Sequence, residues 1–482
     1  MFTLLKKKLR SSAAVSAVIF AGLPVFMASA TVNAATLTFE TIVLEGDQGP
    51  GALAGSSFSF VGRPFLNNQG DIAFETISTG PGLTNVNNQA IVSNAGGGTL
   101  SLVARRGDAV PGAGAATFTS VGSPSLNDQG EIAFLGTFTG FNSAIASNVG
   151  GTLSLVARED DAATGAGAGV SFSGFSSLEL NDQGEVAFVA TLRGTGVDDT
   201  NDLGIFSNVG STLSLVAREG DAAPGAGDGV LFGFLSGHEL NDQGEIAFRT
   251  RLTGTGIDDT NSTAIFSDVG GTLSLVAREG DAAPGAGDGV SFASLPSELS
   301  LNDQGQIAFV ARLTGTNDDV IFSDVGGTLS LVAREGDAAP GAGAGVSFSG
   351  FGNLQLNNQD EIAFSASVRG TGVTVANNEG IFLQSDGMLS LLVREGDIID
   401  LGDGDLATII ALSFGSLGRN AFNDFGQIAF DAELSDGRTG IFLGSPDGIV
   451  LAPVPLPAAL PLMASGLLGL VAIARRRKSA LS

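Results

Sequence analysis

One pattern, Asn-x-x-Gly-x-x-Ala-Phe, recurs seven times, beginning at Asn67, Asn127, Asn181, Asn241, Asn302, Asn357 and Asn423. The copies are unevenly spaced, closest between Asn127 and Asn181 and widest between Asn357 and Asn423. A repeat of this size is a supersecondary unit that cannot bury its apolar face alone, so the units must stack on one another. Within Asn241-Asp-Gln-Gly244 the Asn side chain starts a type I turn and Gly takes the left-handed position that follows. Gly70, Gly130, Gly184, Gly305 and Gly426 hold the same place, and Asp360 stands there in the sixth copy. Ala247 and Phe248 then open a strand, the small residue leaving room for a neighbouring sheet.

Each unit reads as four strands, as the copy at Asn241 shows. Glu245–Leu252 places Ile246 and Phe248 on one face and Ala247 on the other. Ala264–Ser267 is a short second strand, Thr272–Arg278 an alternating third, and Val290–Leu295 a fourth that runs on towards Leu301. All are β-branched or aromatic-rich runs bounded by Gly, Asp and Asn clusters, and no amphipathic helical stretch of useful length interrupts them. The third-strand pattern first appears at Leu37–Asp47 and the fourth at Ser57–Leu66, before any motif. The chain therefore opens with the back half of a unit and closes with a front half, Gln427–Leu443, with Gly448–Leu451 as a spare third strand. Joining the halves predicts an all-β fold, a single seven-bladed β-propeller of four-stranded blades over residues 35–450. The alternative is an open β repeat array. Blades of this length require longer loops than the commoner kind, whose period is roughly 40 to 50 residues.

Both ends carry export signals. Lys6, Lys7, Lys8 and Arg10 precede an apolar stretch from Ala13 to Ala30, and Val32-Asn33-Ala34 permits cleavage before Ala35, so residues 1–34 read as a signal peptide. Leu456–Ala474 carries no charge and is long enough to cross a bilayer as a transmembrane helix, and Arg475, Arg476, Arg477 and Lys478 follow at once. Before the span stand Val454, Pro455, Leu456, Pro457 and Ala458. Motif, span and basic end over residues 451–482 resemble a PEP-CTERM-type sorting tail in its VPLPA variant. The resemblance implies recognition by an exosortase-type protease, transient anchoring in the inner membrane, and transfer to the cell surface or extracellular matrix. A plain single-span anchor is the other reading.

The two ends hold 8 of the 23 basic residues and none of the 50 acidic ones, leaving the core a net charge of −35 and no Lys. Such a surface repels nucleic acid and anionic lipid. The array resembles the bacterial family named for its NxxGxxAF tandem repeats, which implies a surface-anchored repeat protein and no particular activity.

Chemistry is sparsely equipped. With one His, no Cys and no Tyr among 482 residues, nearly every nucleophile–base arrangement is excluded. His238 lies in a strand region of one repeat and reads as a packed or surface residue. Arg278-Glu-Gly-Asp281 is a second, longer turn, its Arg–Asp pair a strand-end brace. Arg106-Gly107-Asp108 is one variant of it rather than an adhesion signal. Asp198, Asp199 and Asp202, then Asp258 and Asp259, then Asp318 and Asp319 occupy one loop in three successive units. Clustered Asp and Asn oxygens suit calcium, the one cofactor the sequence suggests. Asp and Asn are also ordinary turn formers, and a solvated, turn-forming loop is the favoured explanation of them. The sequence thus leads to a non-enzymatic surface or matrix interaction protein, with extracellular polysaccharide or matrix proteins as partners. A secreted propeller hydrolase or lyase using carboxylates and a metal is the alternative.

Overall fold

A computed structural model describes residues 37–51, 55–296, 298–402, 404–415 and 420–446. Alternation of apolar and polar side chains between tight turns produces antiparallel meanders. The fourth blade shows the plan: Val230–Leu240, Ile246–Gly254, Thr263–Ser267 and Ser274–Arg278 pair in sequence order. Val230–Leu240 is innermost, because it touches the corresponding strands of the flanking blades, Val170–Leu180 and Leu299–Leu301. Seven such sheets form a β-propeller. Two inner strands are interrupted, into Ser57–Val61 with Phe65–Leu66 and Phe292–Ser294 with Leu299–Leu301.

The order of strands within a blade differs from the expected unit in its phase. The strand placed last in the sequence repeat is the first and innermost strand of the blade, so the Asn motif is a hairpin inside a blade. The strand placed third is the outer edge. Consequently the two opening strands separate: Ser57–Val61 begins the first blade, whereas Leu37–Leu44 completes the seventh. There it pairs antiparallel with Thr439–Pro446, from Leu37 opposite Pro446 to Leu44 opposite Gly440. The ring is closed by non-covalent pairing of the two ends of the array, which removes the open alternative. The signal peptide, the Gly448–Leu451 strand and the tail with its transmembrane helix lie outside the described residues. Among the described residues no helix is long and apolar enough to cross a membrane.

Both faces of each sheet are buried, and they differ in size. In the fourth blade Phe232, Phe248 and Phe266 share one face, with ring centroids 5.0–5.9 Å apart. Ala247, Ile265 and Ala277 share the other and pack against Phe292, Phe309 and Phe322 of the fifth blade. Large side chains of one blade thus fill the space that small side chains of its neighbour leave. The closing interface repeats the rule. Val43, Ala429 and Ile441 of the seventh blade meet Phe58, Phe74 and Val92 of the first.

Deleting Leu37–Leu44 strips the seventh sheet of its outer strand, removes Val43 from the closing interface and leaves the Thr439–Pro446 edge unpaired. The expected result is a melting temperature lower by something on the order of 10 °C, with concentration-dependent aggregation. Calorimetry and light scattering check this, and an unchanged transition would mean that closure contributes nothing.

Candidate functional site

The motif turns converge on the propeller axis. In each turn the Asn Oδ1 accepts the backbone N–H groups two and four residues on, as Asn181 does from Gln183 and Glu185. The Gly that follows has φ between 72° and 79°, and Asp360 takes 64° in its place. At Gly184 a Cβ would also lie 2.7 Å from Val149 of the preceding blade, so a side chain is excluded by packing as well as by backbone conformation. Each Asn Nδ2 then reaches the next blade. Asn67 donates to the Asn127 carbonyl, Asn127 to Asn181, Asn181 to Asn241 and Asn241 to Asn302, at 2.9–3.2 Å. Asn302 continues to Asn357, Asn357 to Asn423, and Asn423 returns to Asn67 at 3.0 Å. The seven turns form one closed circle of hydrogen bonds.

A second circle lies beside it, and no reading of the motif alone reveals it. The residue after the motif Asn is Asp or Asn in every copy, and its Oδ1 accepts the backbone N–H of its counterpart in the preceding blade. The links run from Asn68 through Asp128, Asp182, Asp242, Asp303, Asn358 and Asp424 back to Asn68, all at 2.7–2.8 Å. Five carboxylates therefore crowd the axis. Burial raises Asp182 to about 8, the charges of Asp128 and Asp242 adding to it, and burial raises Asp242 to about 6.

A third layer sits two residues before the motif Asn and is only partly polar. Ser125 and Ser300 accept the N–H groups of Leu180 and Leu356 with their hydroxyls, and Gln355 accepts that of Ala421. Glu179 serves Leu240 in the same way. Its other oxygen, Oε1, has no hydrogen-bond partner although the side chain is nine-tenths buried. Burial pushes the Glu179 carboxyl well above its usual range, with the Glu239 charge adding to the effect. His238 stands where other blades have Leu178, Leu299 and Leu354, and it is fully buried. Its polar neighbours are the Ala187 backbone and Glu179 Oε1, 3.9 Å from Nε2, and burial lowers its pKa to about 4. The inward-facing residues of the three layers surround an axial cavity of about 110 Å³.

The Asp-rich loops lie at the opposite end of the second strand from the motif turn, so they are far from this cavity. Asp198 Oδ1 accepts from Thr200 N and Oγ1, and Asn201 closes the loop onto the Gly196 carbonyl. Asp258 repeats these bonds with Thr260. Thr84 and Thr374 fill the same place in the first and sixth blades, beside Asn87 and Asn377, so the position serves turn formation without a carboxylate. Asp199 and Asp259 are exposed. Asp318 and Asp319 pair with Arg334 and Arg312 at 2.7 and 2.9 Å. Among the described residues no three carboxylate or imidazole groups are placed to ligate one metal ion. The repeated Arg is a brace, though not always through its Asp: Arg105 pairs with Asp108 and Arg158 with Asp161, whereas Arg278 donates to the carbonyls of Asn261 in its own blade and of Ala226 in the connection from the third blade to the fourth. Val454, Pro455, Leu456, Pro457 and Ala458 lie outside the described residues.

Fold and axis define a closed seven-bladed propeller with an acidic constriction. A model of a family of unknown function, DUF7453, matches residues 38–455, and the chain belongs to that family. No functionally curated protein matches it. Among solved structures, the β-propeller domain of the Trilobed protease from Pyrococcus furiosus is similar at 11% identity and a TM-score of 0.46, covering 83% of this chain and 100% of that one. An acylaminoacyl peptidase from Pyrococcus horikoshii gives 12% identity and 0.42, covering 80% of this chain and 52% of that one. The chain thus spans about half the length of that peptidase. A polysaccharide lyase, Uly1, gives 11% and 0.42, covering 80% and 90%.

Two pH dependences follow with opposite signs. Asp182 and Asp242 keep a proton in the folded ring that they lose near pH 4 when unfolded. Their contribution is full below that pH and is lost as pH rises through about 6 and 8. Asp182→Asn, which copies the residue already present at Asn68 and Asn358, should flatten the decline in melting temperature between roughly pH 4 and 8. An unaltered slope would refute the assignment.

His238 behaves in the reverse sense. The unfolded chain takes up its proton near 6.5 and the folded one only near about 4, so stability falls as pH drops across that window. His238→Leu should stabilise the protein by roughly 1–3 kcal/mol at neutral pH, the cost of burying an unsatisfied polar group. The gain should grow at pH 4.5. Denaturant titrations at pH 7 and 4.5 test this, and a smaller gain at the lower pH would contradict it.

Proposed function

We infer that this protein is an exported interaction module, displayed at the cell surface or in the extracellular matrix, that acts by multivalent contact and not by catalysis. The near-equivalence of the blades carries the reading. The third and fourth blades build the same loop with the same internal hydrogen bonds, and each presents an exposed Asp, Asp199 and Asp259, from a rigid mount. Weak contacts repeated around such a ring add through effective concentration. A core charge of −35 with no Lys directs the choice towards neutral or cationic extracellular polysaccharides and matrix proteins. The signal peptide at residues 1–34 and the VPLPA-type tail supply the route: secretion, transient residence in the inner membrane, and cleavage by an exosortase-type protease.

A secreted hydrolase or lyase is the second reading, favoured by one observation. Glu179, Glu239 and His238 break the equivalence of the blades close to the axis, where the neighbouring blades carry Ser, Gln or Leu.

The deciding experiment screens protein from its native host against that host's polysaccharides and matrix proteins, alongside hydrolase and lyase assays. Saturable binding without turnover is expected, and mass spectrometry of the same preparation should find no peptide beyond the region of Pro457. Turnover that Glu179→Gln abolishes would replace display with catalysis, and an intact Arg475–Arg477 end would replace sorting with plain anchoring.

A further inference from the structure

The second blade is shorter than its neighbours at the end where the Asp-rich loops stand. Thr139 and Gly140 alone join its second strand, Ile132–Phe138, to its third, Phe141–Ser147, whereas residues 195–202 and 255–262 fill that place in the third and fourth blades. An open cleft of about 230 Å³ lies there, reaching from Gln89 of the first blade to Phe175 of the third.

None of the residues lining this cleft is charged, although the sequence holds 50 acidic residues. Ser120, Ser123, Thr137 and Ser143 bring hydroxyls to it, and Gln89 brings an amide. Ser120 stands opposite Thr137, where the first blade pairs Phe60 with Ile77. Thr137 Oγ1 lies 2.7 Å from both Ser120 Oγ and Thr119 Oγ1. Two hydrogen bonds among three hydroxyls leave one hydrogen and several lone pairs for a ligand. Gln89 Oε1 accepts the Val121 N–H, so its two amide hydrogens have no partner among the described residues. Ser123, like Ser177 in the third blade, holds left-handed backbone, with φ of 47° and 43°, at the place that Gly237 takes in the fourth. That conformation disfavours residues other than Gly, and strain of this kind gathers at functional sites. Phe175 supplies the ring at the cleft, half-buried and fixed against Phe172 and Phe188.

Uncharged donors and acceptors beside an apolar wall match a sugar ring, whose hydroxyls need hydrogen bonds and whose C–H face needs an apolar partner. A volume of about 230 Å³ falls below the roughly 300–1,000 Å³ of drug-sized pockets, which suits one ring and not a longer segment. We propose that the cleft is a subsite for one neutral sugar residue of an extracellular polysaccharide. The subsite rests on the reading of this protein as an extracellular interaction module, and it names the ligand that one of the module's contacts takes.

The test titrates the full-length protein, by isothermal calorimetry, with neutral hexaoses of glucose, of mannose and of xylose, and with hexagalacturonate as the charged control. At least one neutral hexaose should bind saturably, and hexagalacturonate should not. Gln89→Glu keeps an oxygen for the Val121 N–H and removes the amide hydrogens, so it should weaken binding about fivefold or more. Ser123→Gly should weaken binding about three- to tenfold without lowering the melting temperature, because Gly relaxes the left-handed backbone. A serine with only a structural role would move affinity and stability together. No binding of any neutral hexaose, equal binding of hexagalacturonate, or unchanged affinity in either variant would overturn the subsite. The display reading would survive each of these if the native-host screen still found saturable binding to a matrix protein or a cationic polysaccharide, so the two can fail separately.

Discussion

A motif Asn side chain has two acceptor positions and two donor hydrogens, and this protein uses all four. Oδ1 of Asn181 ties down the turn of its own blade through two backbone N–H groups. Nδ2 joins Glu185 within the blade and the Asn241 carbonyl in the next. The same atom set therefore shapes the hairpin and aligns neighbouring blades, and sevenfold repetition returns the chain of bonds to Asn67. Because register is set at the axis, the connections farther out are free to vary. The uneven spacing of the motif copies is compatible with one ring for this reason.

Packing complements that alignment. A Phe face meets an Ala and Ile face at each blade boundary, so the blades follow one another in a single direction around the ring. Val43 shows what closure adds. It comes from the opposite end of the array, yet it sits in the same kind of interface as Ala277 or Ala333 elsewhere. The array thus ends without an unmatched apolar face, and its one non-sequential strand pairing serves as the clasp.

The geometry that makes the ring also concentrates like charges. Asp serves the second circle because a carboxylate oxygen accepts a backbone N–H strongly. Repetition then brings five of them together at the axis, where burial and the charges of neighbouring carboxylates raise the pKa of Asp182 and Asp242. Asn68 and Asn358 relieve this at two places. Glu179 and Glu239 do the opposite, adding carboxyl groups where Ser125 and Ser300 stand in other blades. The Asp-rich loops are the converse case: conspicuous in sequence, yet with Asp198 engaged in its own turn and Asp318 and Asp319 in ion pairs.

Local chemistry determined a great deal. The left-handed Gly after each Asn, the Ile246–Phe248 face opposed to Ala247, the four strands per repeat and the half-units at the two ends are all consequences of near-neighbour preferences, and each is legible in one dimension. The phase of the blade is not, because a cyclic repeat can be cut at any strand. Only burial of Val230–Leu240 against its counterparts shows which strand is innermost. The second circle was present in sequence as an Asp or Asn after every motif Asn, but a short polar residue beside a turn looks like solvated turn chemistry until its neighbours are known. Glu179 and His238 belong to two different repeats, far apart along the chain. Their proximity, and the burial that raises the pKa of one and lowers that of the other, arises from stacking one blade on the next, and only the tertiary structure decided it.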